Sequence, residues 1–472
     1  MVWMYLIPLL HLLGLLSAVK AVMESRTSQG AIAWVIFLVT FPYISLPVYW
    51  IFGRYKFRGY TTAKHMKDAK VEEELTEFFE GLKAYQVTSA KINEAEAAAE
   101  KLAFLPILKG NRVELLIDGE ATFESILNGI ADASQYVLFQ FFIVKDDQIG
   151  NRVKEALIDK AQEGISIYFL YDEIGSHDLG GRYINDLREA GVKIYPFHTQ
   201  KGFFNRFQIN FRNHRKIVVV DGEHTWIGGH NVGDEYLGRS PKFGHWRDTH
   251  MKLSGPSVLA AQLSFIEDWF WATDEGINDL SWEPKAAEGF DQKVLIVPSG
   301  PADELETAAL MFHHAINSAK KRLWIASPYF VPDDAIISAL QLAGLRGVDV
   351  RILIPEKPDH LLVYLAAYTY FEDVLQTGVR FFRYTDGFLH EKVMLIDDQT
   401  ATVGTANFDN RSFRLNFEIT GVIKDRAFAD EVEQMFLKDF AHAREMTEDD
   451  LKQHSWWFRF ATRIARLTSP IQ

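Results

Sequence analysis

Residues 213–231 read NHRKIVVVDGEHTWIGGHN, and residues 389–407 read LHEKVMLIDDQTATVGTAN. Set against each other at a constant offset of 176 residues, they pair His214 with His390, Lys216 with Lys392 and Asp221 with Asp397. Gly228 falls on Gly404 and Asn231 on Asn407. One H-x-K-x-x-x-x-D match is weak evidence, but two with the same Gly and Asn offsets do not arise by accident. The chain is built on a duplication. His and Lys two apart on a strand point to the same face. The runs Ile217–Val220 and Val393–Ile396 read as central strands buried on both faces. Asp221-Gly222 and Asp397-Asp398 read as turns, with GG or GT returning on a neighbouring strand.

The repeat extends upstream. QYVLFQFFIVKDD (135–147) resembles RLWIASPYFVPDD (322–334), and GISIYFLYD (164–172) resembles GVDVRILIP (347–355). REAGVKIYPF (188–197) matches LQTGVRFFRY (375–384), a helix end with a Gly stop and a strand start. Short apolar strands alternating with helical patterns predict an α/β fold. The expectation is two pseudo-symmetric lobes, 110–285 and 286–443, each a mixed β-sheet flanked by helices and sharing one active site. The first lobe carries an insert, KGFFNRFQINFRNHRK (201–216), with five basic residues, no acids and four phenylalanines. It reads as a segment pressed onto anionic headgroups, with a core-packing loop as the alternative.

Outside the lobes the composition changes. Val2 to Val19 and Thr27 to Gly53 hold no charged residue, and each is about long enough to span a bilayer. They predict a two-helix membrane anchor (1–58). Arg54, Lys56, Arg58, Lys64, Lys67 and Lys70 follow the second run, against Lys20 and Arg26 between the two. The positive-inside rule then puts both the body and the N-terminus in the cytoplasm. A helical linker (59–109) follows, with Glu72, Glu73 and Glu74 as a solvated face. The C-terminal tail (444–472), with Trp456-Trp457-Phe458-Arg459-Phe460, reads as an interfacial amphipathic helix or a packing helix.

Among 472 residues there is no cysteine, which excludes disulfide scaffolds and thiolate chemistry. A net charge of -13 argues against a chain-wide nucleic-acid binder. The apolar fraction of 48% confines membrane insertion to a local segment.

Each half thus offers an imidazole, an ammonium and an amide. Lys216, Lys392, Asn231 and Asn407 supply charge and donors for a phosphate without a metal. One imidazole can attack phosphorus while the other protonates the departing alkoxide. Gly229 and Thr405 are small residues where a bulky ligand would approach the backbone. A carboxylate on the far nitrogen would orient each ring: Glu418, 28 residues beyond His390, and Asp248, 34 beyond His214, are the candidates. The motif aspartates Asp221 and Asp397 read either as part of the catalytic set or as turn caps. No second His or carboxylate stands at metal-ligand spacing, so neither metal nor cofactor is expected.

With these motifs the chain resembles the phospholipase D superfamily with its paired HKD motifs, and within it the bacterial cardiolipin synthases. The likeness extends over GNRVELLIDGEATFESI (110–126), GGHNVGDEY (228–236), SPYFVPDD (327–334) and TANFDNRSFRLNFE (405–418). Gly229, where many members carry Ser, fits the subgroup; Glu391, between His390 and Lys392, is less usual and should point away from the site. The resemblance implies phosphatidyl transfer between two phosphatidylglycerols at a bacterial inner membrane. The products would be cardiolipin and glycerol, formed through a phosphohistidine on His214 with His390 as acid and base. A hydrolase using water, or a transferase with another donor or alcohol, shares the same motifs.

Overall fold

The computed structural model describes residues 2–54, 56–60, 76, 78–88, 92–199, 210–452 and 454–472. The first lobe contributes β1 (Leu108–Ile117), β2 (Tyr136–Phe141), β3 (Ser166–Asp172), β4 (Lys193–Phe197), a short β5 (Arg212–Asn213), β6 (Ile217–Val220), β7 (His224–Gly228), a short β8 (Trp246–Arg247) and β9 (Thr249–Ser254). The second contributes β10 (Gln292–Ser299), β11 (Arg322–Ala326), a short β12 (Phe330–Val331), β13 (Asp349–Pro355) and β14 (Arg380–Tyr384). It continues with a short β15 (Phe388–Leu389), β16 (Val393–Ile396), β17 (Thr400–Gly404), a short β18 (Phe408–Asp409), β19 (Asn416–Lys424) and β20 (Ala443–Glu445).

The two lobe sheets are joined edge to edge, in the order β20-β14-β13-β11-β16-β17-β19-β10-β1-β9-β7-β6-β2-β3-β4. Outward from the antiparallel β10–β1 junction, both halves repeat one order: β1, β9, β7, β6, β2, β3, β4 against β10, β19, β17, β16, β11, β13, β14. The duplication seen in the sequence is therefore a pseudo-twofold relation about that junction. The motif strands β6 and β16 are fully buried, as their unbroken apolar runs require, and sit between an antiparallel pair and a parallel trio. Separate cores lie under the outer helices of each lobe. On the other face helices Val258–Thr273 and Arg426–Ala441 close one core common to both. That shared core fixes how the lobes meet.

The N-terminus departs from the two-helix expectation. The first run is one helix, Val2–Glu24, but the second divides into Ser28–Thr40 and Pro42–Phe52. Pro42 has no N–H and pushes Phe41 out of the helical region (φ -131°, ψ 57°), so the helix stops there. Only the first is long and apolar enough to cross a membrane among the described residues.

Residues 201–209 of the basic insert lie outside the described residues, as do Glu72, Glu73 and Glu74. In the insert's described part the core-packing alternative holds: Phe211, Arg215 and Lys216 are buried. Arg215 is drawn inside because its guanidinium pairs with buried Asp268 (2.9 Å). The tail opens as strand β20, paired with β14. It ends in helix Trp456–Arg466, whose Phe458 packs on Tyr368 and whose Arg463 and Arg466 pair with Glu372 and Asp373. Trp456, Trp457 and Phe460 remain exposed.

Candidate active site

His214 and His390 each stand one residue past a short strand that belongs to the other lobe's edge. β5 pairs in parallel with β19, and the His214 N–H donates to the Phe417 carbonyl (2.9 Å). β15 pairs in parallel with β8, and the His390 N–H donates to the Arg247 carbonyl (2.8 Å). Each motif thus leaves its own sheet for one turn and is anchored by the opposite half.

This exchange corrects the carboxylate assignment. His214 Nδ1 bonds Glu418 (2.9 and 3.0 Å), and His390 Nδ1 bonds Asp248 Oδ2 (2.7 Å). Both residues orient a ring, but the ring of the other lobe. β19 carries Glu418 directly beside β5, whereas its own motif strand β16 is one strand further away. Glu418 also accepts from the Thr405 and Ser412 hydroxyls (2.6 and 2.8 Å) and the Asn416 amide (3.2 Å). Asp248 accepts the Thr249 N–H (2.8 Å) on its other oxygen.

Gly229 and Thr405, expected to face ligand, instead serve these carboxylates. A Cβ on Gly229 would stand 2.6 Å from Asp248 Cγ, so the glycine leaves room for the carboxyl. At the matching position Thr405 donates its hydroxyl to Glu418.

Asp221 and Asp397 are likewise not brought to the imidazoles. Each lies at the far end of its motif strand in a left-handed turn (φ 54° and 52°), a conformation Asp tolerates. Asp221 accepts the backbone N–H groups of Ser134, Gln135 and Tyr136 (2.8 Å each). Asp397 accepts those of Lys320, Lys321 and Arg322 (2.7–3.1 Å). Four residues of strand separate them from the Lys, so they pin β2 and β11 to the motif strands and cap the turn.

The lysines do turn back to the site. Lys216 Nζ donates to the His214 carbonyl (2.7 Å), and Lys392 Nζ to the His390 carbonyl, with His390 Nδ1 2.9 Å away. Asn231 is held by the Ile143 N–H and the Tyr236 hydroxyl (3.2 Å each). Asn407 Oδ1 is buried without a partner among the described residues. Neither imidazole Nε2 has a hydrogen bond among the described residues, so both are available to a ligand.

Burial dominates the electrostatics. It pushes His214 down to about 4 despite Glu418, and His390 well below its usual value, helped by Lys392, Lys216 and His214. It lowers Lys392 to about 8 and Lys216 well below its ordinary range. His214 and Lys216 thus lie close enough to His390 to repel its protonated form. Glu418 is held below its usual range, because His214 and Lys216 offset its burial.

Several site residues were not legible in the sequence. Ser412 and Asn416 complete the Glu418 network, and Arg247 joins buried Glu391 and Asp439 (2.6 and 2.7 Å) across the lobes. Glu391 therefore faces away from the pocket, as its place between two inward residues requires. His230 and His250 bond each other (3.0 Å) beneath the site. Polar residues in apolar runs were the available signal, but their partners lie up to 192 residues away. Among the described residues no group of three His, Asp or Glu side chains is placed to hold a metal.

Comparison with known proteins agrees with this geometry. A family described as cardiolipin synthase, PLD-like domain, matches residues 126–240 and 312–440. A second, described as phospholipase D-nuclease N-terminal, matches residues 9–54. The chain is 49% identical over 470 residues to cardiolipin synthase A of Pseudomonas entomophila strain L48, covering 99% of this chain and 98% of that one. To the protein of the same name from Pseudomonas fluorescens Pf-5 it is 48% identical over the same shares. Its fold is similar to that of the phosphatidylserine synthase of Haemophilus influenzae Rd KW20 (TM-score 0.61, 17% identity), over 80% of this chain and all of that one.

Proposed function

This chain belongs to the cardiolipin synthase family of phospholipase D-like phosphatidyltransferases, and from that premise we propose that it joins two phosphatidylglycerols into cardiolipin, releasing glycerol. One observation carries the reading: two imidazoles, each held at Nδ1 by the other lobe's carboxylate and each with an Nε2 that has no hydrogen bond among the described residues. An Nδ1–H donated to a carboxylate leaves the Nε2 lone pair for phosphorus.

In the first half, His214 Nε2 attacks the phosphorus of one phosphatidylglycerol. The P–O bond to the headgroup glycerol breaks, and protonated His390 gives its proton to the departing oxygen. In the second half, a hydroxyl of another phosphatidylglycerol attacks the phosphohistidine while His390 takes its proton. The P–N bond breaks and His214 is restored. His214 is favoured as nucleophile because Glu418 divides its charge among four donors. It therefore pulls a proton onto the ring less strongly. Asp248, with fewer donors, keeps more of its charge for a His390 imidazolium, which needs it because burial and the neighbouring lysines push that ring well below its usual value. Lys216, Lys392, Asn231 and Asn407 flank the place of the phosphate, whose negative charge would offset the burial that lowers the lysines. The exchange of one glycerol phosphodiester for another is nearly isoenergetic and needs no nucleotide.

The protein is membrane-associated, and the basic residues from Arg54 onward support a reading with its lobes on the cytoplasmic face of a bacterial inner membrane. The five chain segments read from the sequence (anchor 1–58, helical linker 59–109, lobes 110–285 and 286–443, tail 444–472) are proposed as its working units.

The test is purified protein in vesicles of phosphatidylglycerol labelled in the headgroup. Glycerol released in step with cardiolipin is the expected result; phosphatidic acid as the main product would refute the transfer. His390→Ala, given a phosphatidyl ester whose leaving group needs no protonation (p-nitrophenol), should accumulate lipid on His214 that an alkaline quench preserves, and capture elsewhere would reverse the assigned roles.

A further inference from the structure

We infer that the anchor is one transmembrane helix with a re-entrant helical pair, so that the N-terminus and the lobes lie on opposite sides of the bilayer. This rests on membrane association and on nothing about the chemistry. The second apolar run was expected to cross the membrane, but it folds back on itself. The Trp34 and Tyr49 rings lie 5.1 Å apart, whereas 15 residues of continuous helix would separate them by roughly 22 Å.

The bend is at Phe41–Pro42, and its level in the bilayer can be read from the long helix beside it. His11 Nε2 meets the Tyr43 hydroxyl (3.0 Å). A Cβ on Gly14 would stand 2.5 Å from the Leu38 carbonyl oxygen and 3.1 Å from Pro42 Cβ. The tip of the pair is thus level with His11–Gly14, about halfway along Val2–Glu24. Ten to thirteen helical residues reach about 15–20 Å, short of a hydrocarbon core about 30 Å thick. Irregular backbone at that depth must be covered by protein. Here the glycine lets the Leu38 carbonyl, which has lost its Pro42 donor, pack against the long helix, and the Phe41 N–H still reaches the Phe37 carbonyl (2.9 Å).

The loop at residues 24–28 gives the independent argument. In a two-span hairpin it lies across the membrane from residue 54. In this structure Glu24 pairs with Arg58 (2.9 Å), while Arg26 pairs with Glu306 (2.7 Å) and approaches Asp333 (3.7 Å) in the second lobe. Those contacts require residues 24–28 and the lobes to be on one side. Charge agrees: Lys20, Arg26, Arg54, Lys56 and Arg58 then share a face, and residues 1–19 contain no Lys or Arg.

The arrangement ties the bilayer to the site. Phe57, just after the pair, packs on Phe211, Trp271 and Phe417 (5.0–5.4 Å), and Phe417 precedes Glu418. The site is therefore braced against the leaflet on the lobes' own side.

The chain has no cysteine, so single substitutions can be labelled directly with a membrane-impermeant maleimide. Val2→Cys, Gln29→Cys and the exposed lobe marker Asp178→Cys would be labelled in sealed vesicles of each orientation. Gln29→Cys labelling with Asp178→Cys, and Val2→Cys from the opposite side only, is the expected result. Gln29→Cys opposite to Asp178→Cys would restore the two-span hairpin and overturn the proposal. All three labelling from one side would overturn it too, by removing the span.

Discussion

Replacing Gly229 by alanine tests the site's geometry most directly. The new Cβ would overlap Asp248 Oδ1 outright and stand 2.6 Å from Cγ and 2.7 Å from Oδ2, where ordinary contact begins at 3.4 Å. The Gly229 N–H is held by the Thr249 carbonyl (3.0 Å), so the backbone resists moving and the carboxyl must retreat by more than about 1 Å. That stretches the Asp248–His390 bond from 2.7 Å beyond hydrogen-bonding range. A misplacement of about 1 Å in a catalytic group costs about 100-fold in rate, or about 3 kcal/mol. Steady-state cardiolipin formation from phosphatidylglycerol should therefore show kcat falling about 100-fold with KM little changed. Asp248→Asn should cost a similar factor, and the double variant little more than either alone, because both act through one ring. A raised KM with kcat intact would mean that Gly229 faces lipid after all. Fully additive losses would show that it does not act through Asp248.

Three further outcomes follow from the same contacts. Asp397→Asn should lose about 1–3 kcal/mol of stability, lowering Tm by roughly 2–8 °C by calorimetry, with activity per folded molecule retained; loss of activity without loss of stability would return Asp397 to the catalytic set. Glu418→Gln should reduce kcat 100-fold or more while leaving the fold intact by circular dichroism, because an amide cannot accept from four donors at once. His214 titrates at about 4 in the folded protein and near 6.5 unfolded. Its share of stability is complete above pH 6.5 and is lost as pH falls towards 4, to a total of about 3 kcal/mol. Denaturant unfolding over that range should show a shallower slope in His214→Ala, and an unchanged slope would refute the buried neutral imidazole.

The duplication, the alternation of strands and helices and the inward His and Lys were all legible because they depend on spacing along one strand. Two polar residues two apart share a face whatever the rest of the chain does. The apolar character of residues 2–53 was equally plain. The bend at Pro42 was not: a proline among apolar residues is compatible with a kinked span or a fold-back, and contacts such as Trp34 against Tyr49 distinguish them.

Sequence by itself picked out the side chains proposed for the chemistry; the tertiary structure decided what each is paired with. His214 and Glu418 are 204 residues apart, and no local propensity reaches that far. Their meeting depends on β5 crossing the pseudo-twofold junction to pair with β19, a consequence of how two like sheets join at one edge and bury a common core. The same packing turned Asp221 and Asp397 into pins for backbone amides and made Gly229 the space in which Asp248 sits. Strand periodicity sets a residue's face, but the neighbour on that face is set by the free energy of closing the whole core.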